Sequence, residues 1–155
     1  MQACQHSPTE RLEGFEVHGI DVSHHQHLIN WDTVAAQSID FAFMKATEGE
    51  ELVDKHFGYN WETAKAKGLK RGAYHFFHPT LSSFQQAINF INTVPLEYGD
   101  LPPVVDFEVT NGATETLVVH RLRSWIELIE MHYHVRPIIY TNQKLYKQYL
   151  SLIHI

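Results

Sequence analysis

The sequence holds a single cysteine, Cys4, which excludes an internal disulfide and any zinc site built on cysteine. No apolar run approaches the roughly 18 residues of a membrane-spanning helix, and no stretch reads as the apolar core of a signal peptide. Basic residues are in deficit. Twelve Lys and Arg against 18 Asp and Glu leave a formal charge of −6, which argues against electrostatic binding to nucleic acid. Linkers, low-complexity tracts and internal repeats are missing. What is present suffices for one packed domain: 155 residues, 44% hydrophobic and only 19% charged, within the roughly 100–200 residues typical of a domain. The 12 His would cancel the negative charge as pH falls below neutrality, so solubility and partner attraction are expected to depend on pH. Residues 1–14 read as a polar tail. Within it Cys4 has two readings, an incidental cysteine in a frayed terminus or the mature start of a bacterial lipoprotein.

Hydrophobic patterning then alternates between two periods. Strands are expected at 17–23, 41–46, 71–77, 103–108 and 137–141, the second apolar enough to be covered on both faces. Helices are expected at 30–36, 54–67, 82–93, 114–132 and 143–150, with Asn30 or Asp32 near the start of the first, Ser82 or Ser83 capping the third, and Gly68 closing the second. Strand–helix alternation repeated five times predicts an α/β fold with a parallel sheet under covering helices. Two closures fit, an open doubly wound sheet or a (β/α) barrel, which typically needs about 250 residues. No Gly-rich phosphate loop follows the first strand, which weakens a nucleotide-binding open sheet.

In either closure, chemistry gathers at the carboxyl ends of the strands. Those ends deliver Asp21, then Lys45 and Glu48, then Tyr74 and Phe76, then Asp106 and Glu108, then Tyr140 to one rim. Asp106 and Glu108 stand two apart on an apolar strand, so they share a face with Cα atoms roughly 6.6 Å apart. Mutual repulsion raises one of the two pKa values and allows one carboxyl to act as an acid. The bland alternative is a helix cap beside a solvated acid. Paired carboxyls suit glycoside hydrolysis. Tyr74, Phe76 and Tyr140 could stack on sugar faces, although core packing is the commoner use of such residues. Lys45 could bond hydroxyl or acetamido groups. His25-Gln26-His27 and His75-x-x-His78 invite a metal-hydrolase reading, but further ligands in matching places are not evident.

These residues resemble a known family. Gly19-Ile20-Asp21-Val22-Ser23-His24-His25-Gln26 followed by Ile29-Asn30-Trp31 looks like the opening of the glycoside hydrolase family 25 lysozymes, the Chalaropsis-type muramidases. Phe43-Met44-Lys45-Ala46-Thr47-Glu48-Gly49, Gly68-Leu69-Lys70-Arg71-Gly72-Ala73-Tyr74-His75-Phe76, Leu101-Pro102-Pro103-Val104-Val105-Asp106-Phe107-Glu108 and Pro137-Ile138-Ile139-Tyr140-Thr141 match the following strand motifs in order. The resemblance implies a flattened, TIM-like (β/α) barrel over residues 15–155 that cleaves the β-1,4 bond between N-acetylmuramic acid and N-acetylglucosamine in peptidoglycan. It implies Glu108 as general acid and then base, Asp106 as its partner that orients or stabilises the substrate acetamido group or the developing positive charge, and Asp21 as part of an acidic floor. Lys45, Glu48, Tyr74 and Tyr140 would shape sugar subsites. The family needs no metal or organic cofactor. Its mechanism is usually discussed as retaining with help from the substrate acetamido group; a protein nucleophile and an inverting route are the alternatives.

The family pattern continues past the fifth strand, with further strands and another catalytic-site Asp. The barrel is therefore expected to be incomplete, poorly active by itself, and prone to self-association through open strand edges. A cell-wall-binding protein without turnover is the rival from another class. A peptidoglycan substrate implies work outside the cytoplasm or on a cell envelope.

Overall fold

A computed structural model describes residues 14–150. Cys4 with nearly all of the expected tail, and residues 151–155, lie outside the described residues.

The elements follow the expected alternation: β1 (Gly19–Val22), α1 (Trp31–Ala35), β2 (Phe41–Glu48), β3 (Leu52–Val53), α2 (Phe57–Ala66), β4 (Lys70–Phe76), α3 (Ser83–Thr93), β5 (Val104–Phe107), α4 (Glu115–Tyr133), β6 (Ile138–Thr141) and α5 (Gln143–Tyr149). Five strands pair in parallel in the order β1-β2-β4-β5-β6. The two-residue β3 folds back antiparallel on the end of β2, and a 3-10 turn at His24–Gln26 follows β1. The result is the expected TIM-like wall, a curled parallel sheet whose outer strands β1 and β6 do not pair with each other among the described residues.

Local chemistry fixes the helix starts. The side chains of Asn30, Ser82, Thr114 and Asn142 accept from the backbone N–H groups of Thr33, Gln85, Leu117 and Leu145; each such cap is worth about 1 kcal/mol. The α2 helix starts later than expected, at Phe57, after a turn in which the Asp54 carbonyl accepts from Phe57 N. The Asp54 carboxylate accepts from the backbone N–H groups of His24 and His56 and from His24 Nδ1. Burial raises the Asp54 pKa, but these hydrogen bonds outweigh it and the net direction is down.

The sheet has two unlike faces. On the convex face Ala42, Met44, Ala73, Val105 and Phe107 are buried in one core with Trp61, Ala64, Phe90, Leu122 and Trp125 from the covering helices. Arg71 is buried too. It stacks 4.1 Å over the Trp61 ring, bonds Asp100 at 2.8 and 3.2 Å and reaches the Trp61 carbonyl at 3.1 Å. Leu101 N donates to the Arg71 carbonyl, which ties the entrance of β5 to β4. On the concave face the alternate residues point into a trough.

Candidate active site

The trough is a cavity of about 530 Å³, within the range of roughly 300–1,000 Å³ usual for small-ligand sites. Its apolar end is lined by Phe41, Phe43, Val104 and Ile138, and its polar end by Asp21, Lys45, Tyr74, Asp106, Glu108 and Tyr140. The polar end lies at the carboxyl ends of the strands, as the alternation predicts.

Asp106 and Glu108 both line this cavity, and Asp21 joins them from β1. The pair differs in depth. Glu108 is exposed one residue past the end of β5, while Asp106 is buried within it. Between them Phe107 turns to the core and meets the Tyr149 ring edge-on. Burial, the Glu108 charge and the more distant Asp21 and Glu48 charges push the Asp106 pKa up to about 7, against an opposing pull from Lys45. Asp106 Oδ1 is buried with no hydrogen-bond partner. A buried carboxyl oxygen without a donor is costly, and a proton on Asp106 near neutrality lowers that cost.

Tyr74 and Tyr140 face the same charges. Burial raises the Tyr74 pKa, and the negative charges of Asp21 and Asp106 add to it. Tyr140 is raised for the same reasons, with Glu108 the nearest charge in effect. Both phenols stay protonated and can donate hydrogen bonds. Lys45 is buried, carries its ammonium 5.1 Å from the Phe76 ring centroid and bonds Glu48 at 2.5 Å. Glu48 accepts with its other oxygen from His78 Nε2 at 3.0 Å. Burial raises the Glu48 pKa, but its bonds to Lys45 and His78 prevail and hold it low.

Seven of the eight residues singled out from sequence therefore line one cavity: Asp21, Lys45, Tyr74, Phe76, Asp106, Glu108 and Tyr140. Glu48 does not. One of its oxygens accepts from Lys45 and the other from His78. Ser23 and His25 line the cavity as well; their place directly after Asp21 was the available signal. The histidine pairs do not converge. His75 bonds Thr47 and Gln86 under the sheet, whereas His78 bonds Glu48 and Asn111. Among the described residues no three His, Cys, Asp or Glu side chains gather as a metal site would require.

A sequence model described as Glycosyl hydrolases family 25 matches residues 20–155. A protein named YegX from Escherichia coli (strain K12) is 39% identical over 142 residues, which cover 88% of this chain and 52% of that protein. Lysozyme M1 of Streptomyces globisporus is 37% identical over 136 residues, covering 81% of this chain and 46% of that enzyme. The structure of a family 25 glycosyl hydrolase from Bacillus anthracis superposes with a TM-score of 0.87 at 36% identity, covering 96% of this chain and 70% of that one. The chain spans about half the length of the curated relatives it matches.

Proposed function

Because the chain belongs to glycosyl hydrolases family 25, we propose that it is the catalytic part of a muramidase that hydrolyses the β-1,4 bond between N-acetylmuramic acid and N-acetylglucosamine in peptidoglycan. The observation that carries this reading is the convergence of Asp106, Glu108 and Asp21 in one open trough beside Lys45, Tyr74 and Tyr140.

The difference in depth suggests the division of labour. Glu108 is exposed and reaches a glycosidic oxygen, so it serves as the general acid. Its proton goes to the leaving oxygen as the C–O bond breaks. The acetamido carbonyl oxygen of the sugar closes on the anomeric carbon and spreads the developing charge. Asp106, when ionised, accepts the acetamido N–H and makes that carbonyl a better nucleophile; the amide satisfies the carboxyl oxygen left unpaired in the free protein. Water then attacks the anomeric carbon, the bond from that carbon to the acetamido oxygen breaks and regenerates the acetamido group, and the water's proton passes to Glu108, which restores the acid. Asp21 adds negative charge across the trough. Lys45, Tyr74 and Tyr140 supply donors for hydroxyl and acetamido groups, and the Phe76 ring offers an apolar surface.

A peptidoglycan substrate places the work outside the cytoplasm or on a cell envelope. The unpaired edges of β1 and β6 in the described sheet favour self-association, which size-exclusion chromatography reads directly.

Turbidity of purified peptidoglycan tests the reaction. The chain is expected to clear the suspension slowly, with or without a chelator, and Glu108→Gln to lose about 10²-fold or more of that rate. Equal clearing by Glu108→Gln would overturn the assignment of the acid. Pelleting of the protein with the walls, without any clearing, would leave a groove that holds glycan and does not cut it.

A further inference from the structure

The side chain behind Lys45 is itself held, and by a residue outside the trough. His78 Nε2 lies 3.0 Å from Glu48 Oε1, and His78 Nδ1 lies 2.7 Å from Asn111 Nδ2. A carboxylate only accepts and an ammonium only donates, so Glu48 takes a hydrogen from the imidazole on one oxygen and from Lys45 on the other. With Nε2 donating, Nδ1 of a neutral ring is an acceptor, and the Asn111 amide supplies the matching donor. The chain of donors therefore has one consistent direction at each end of Glu48.

The ring is also anchored through its backbone. Gln86, fully buried on α3, accepts from His78 N at 2.9 Å and donates to the His78 carbonyl at 3.0 Å. The Phe76 ring meets the imidazole edge-on at 5.3 Å. Every element around His78 contributes: Glu48 from β2, Phe76 from β4, Gln86 from α3 and Asn111 from the turn after β5. The nearest other titratable ring, His75, bonds the same Gln86 oxygen.

We propose that His78 is a positioning residue, which through Glu48 fixes the Lys45 ammonium at the wall of the trough, and that Asn111 selects the imidazole tautomer this requires. Lys45 has four rotatable carbons and would otherwise sample several positions. Glu48 held at one oxygen alone can swing; held at both it cannot. The arrangement resembles the outer-shell partners that orient a ligating side chain elsewhere. Only the kinetic consequence depends on the muramidase reading.

The test uses the whole chain and carboxyl 13C NMR of Asp106, the trough group that the Lys45 cation pulls downward. In His78→Leu the Asp106 titration is expected to move upward by about half a unit as the cation becomes less localised, and kcat/KM on peptidoglycan to fall about tenfold. His78→Gln, whose amide can donate to Glu48 from nearly the same place, should restore both. Asn111 has φ +51°, a conformation glycine adopts freely, so Asn111→Gly removes the amide without backbone strain and should give a smaller upward shift. An Asp106 titration unchanged in both His78→Leu and Asn111→Gly overturns the proposal. So does a His78→Gln variant as impaired as His78→Leu, because bulk rather than donation would then matter. If His78→Leu does not fold, Asn111→Gly and His78→Gln decide alone. The NMR measurement reads the resting protein, so a chain that shows the shifts and never clears peptidoglycan sinks the muramidase reading and leaves the relay standing.

Discussion

Lys45 and Glu48 are three residues apart on one strand, yet their side chains meet at 2.5 Å. On a regular strand such residues point to opposite faces. The pairing of β2 with β4 explains the exception. Lys45 lies opposite Tyr74, but Thr47 lies opposite His75, so Ala46 is skipped as a bulge. The bulge resets the alternation: Lys45 and Glu48 come to the trough side, and Thr47 turns outward to bond His75 at 2.7 Å. Bulges recur next to active sites because they re-aim a side chain in this way.

Close approach of a different kind shapes the apolar end of the trough. Gly72 on β4 lies opposite Phe43, and a Cβ there would sit 2.3 Å from the Phe43 ring and 3.1 Å from Leu101 Cβ. The Phe43 ring, which lines the trough, would have to shift to make room. Gly72→Ala is expected to cost about 1–3 kcal/mol of stability, as overpacking does. Urea denaturation measures it. Phe43→Leu in the same chain should return part of the loss; a Gly72→Ala variant as stable as the parent would contradict the packing.

Asp106 carries a stability cost that should show in its amide variant. Its pKa rises from 3.8 unfolded to about 7 folded, chiefly by burial and then by Glu108. The folded state therefore binds the extra proton between those values, and stability falls as pH rises through that window. Above it the full cost of a buried carboxylate is paid. Asp106→Asn is expected to melt a few degrees higher than the parent at pH 8 and to differ little at pH 4, while activity is lost. Calorimetry across pH checks the crossover, and an equal or lower melting temperature at pH 8 would count against the cause assigned.

His75 gives the opposite sign. It is fully buried, stacks on Trp125 at 5.4 Å and has its pKa lowered from 6.5 to about 4, first by burial. The unfolded chain takes up this proton below about pH 6.5 and the folded chain does not until about pH 4. Stability is thus lost as pH falls through that interval, by about 3 kcal/mol in all at ~1.4 kcal/mol per unit. His75→Phe keeps an aromatic ring against Trp125 and leaves Thr47 and Gln86 short of a partner. It should be less stable at pH 7 by about 1–3 kcal/mol and lose less on acidification. Denaturation midpoints at pH 7, 5.5 and 4 measure both effects.

Much of this was legible from residues alone. The strands from 41, 71, 103 and 137 and the helices capped at Asn30, Ser82 and Thr114 fall within a few residues of their places. The rim residues converge because parallel strands must present their carboxyl ends together. Three features were not legible. The two-residue β3 pairs only because β2 is already in place. The late start of α2 comes with a turn at Asp54, whose carboxylate also holds His24, 30 residues away in sequence. Glu48 sits in the right motif but is turned to Lys45 and His78 by a bulge that no periodicity announces.

By itself the sequence determined the order of elements, the faces that must be buried and the acids that reach one rim, because these depend on short-range periodicity and on the fixed direction of parallel strands. Tertiary structure alone decided which carboxyl is buried with its pKa raised, which cation opposes it and which distant histidine fixes that cation. Those outcomes depend on desolvation and on distances of a few ångströms between groups far apart in the chain, and neither quantity exists until the sheet has curled.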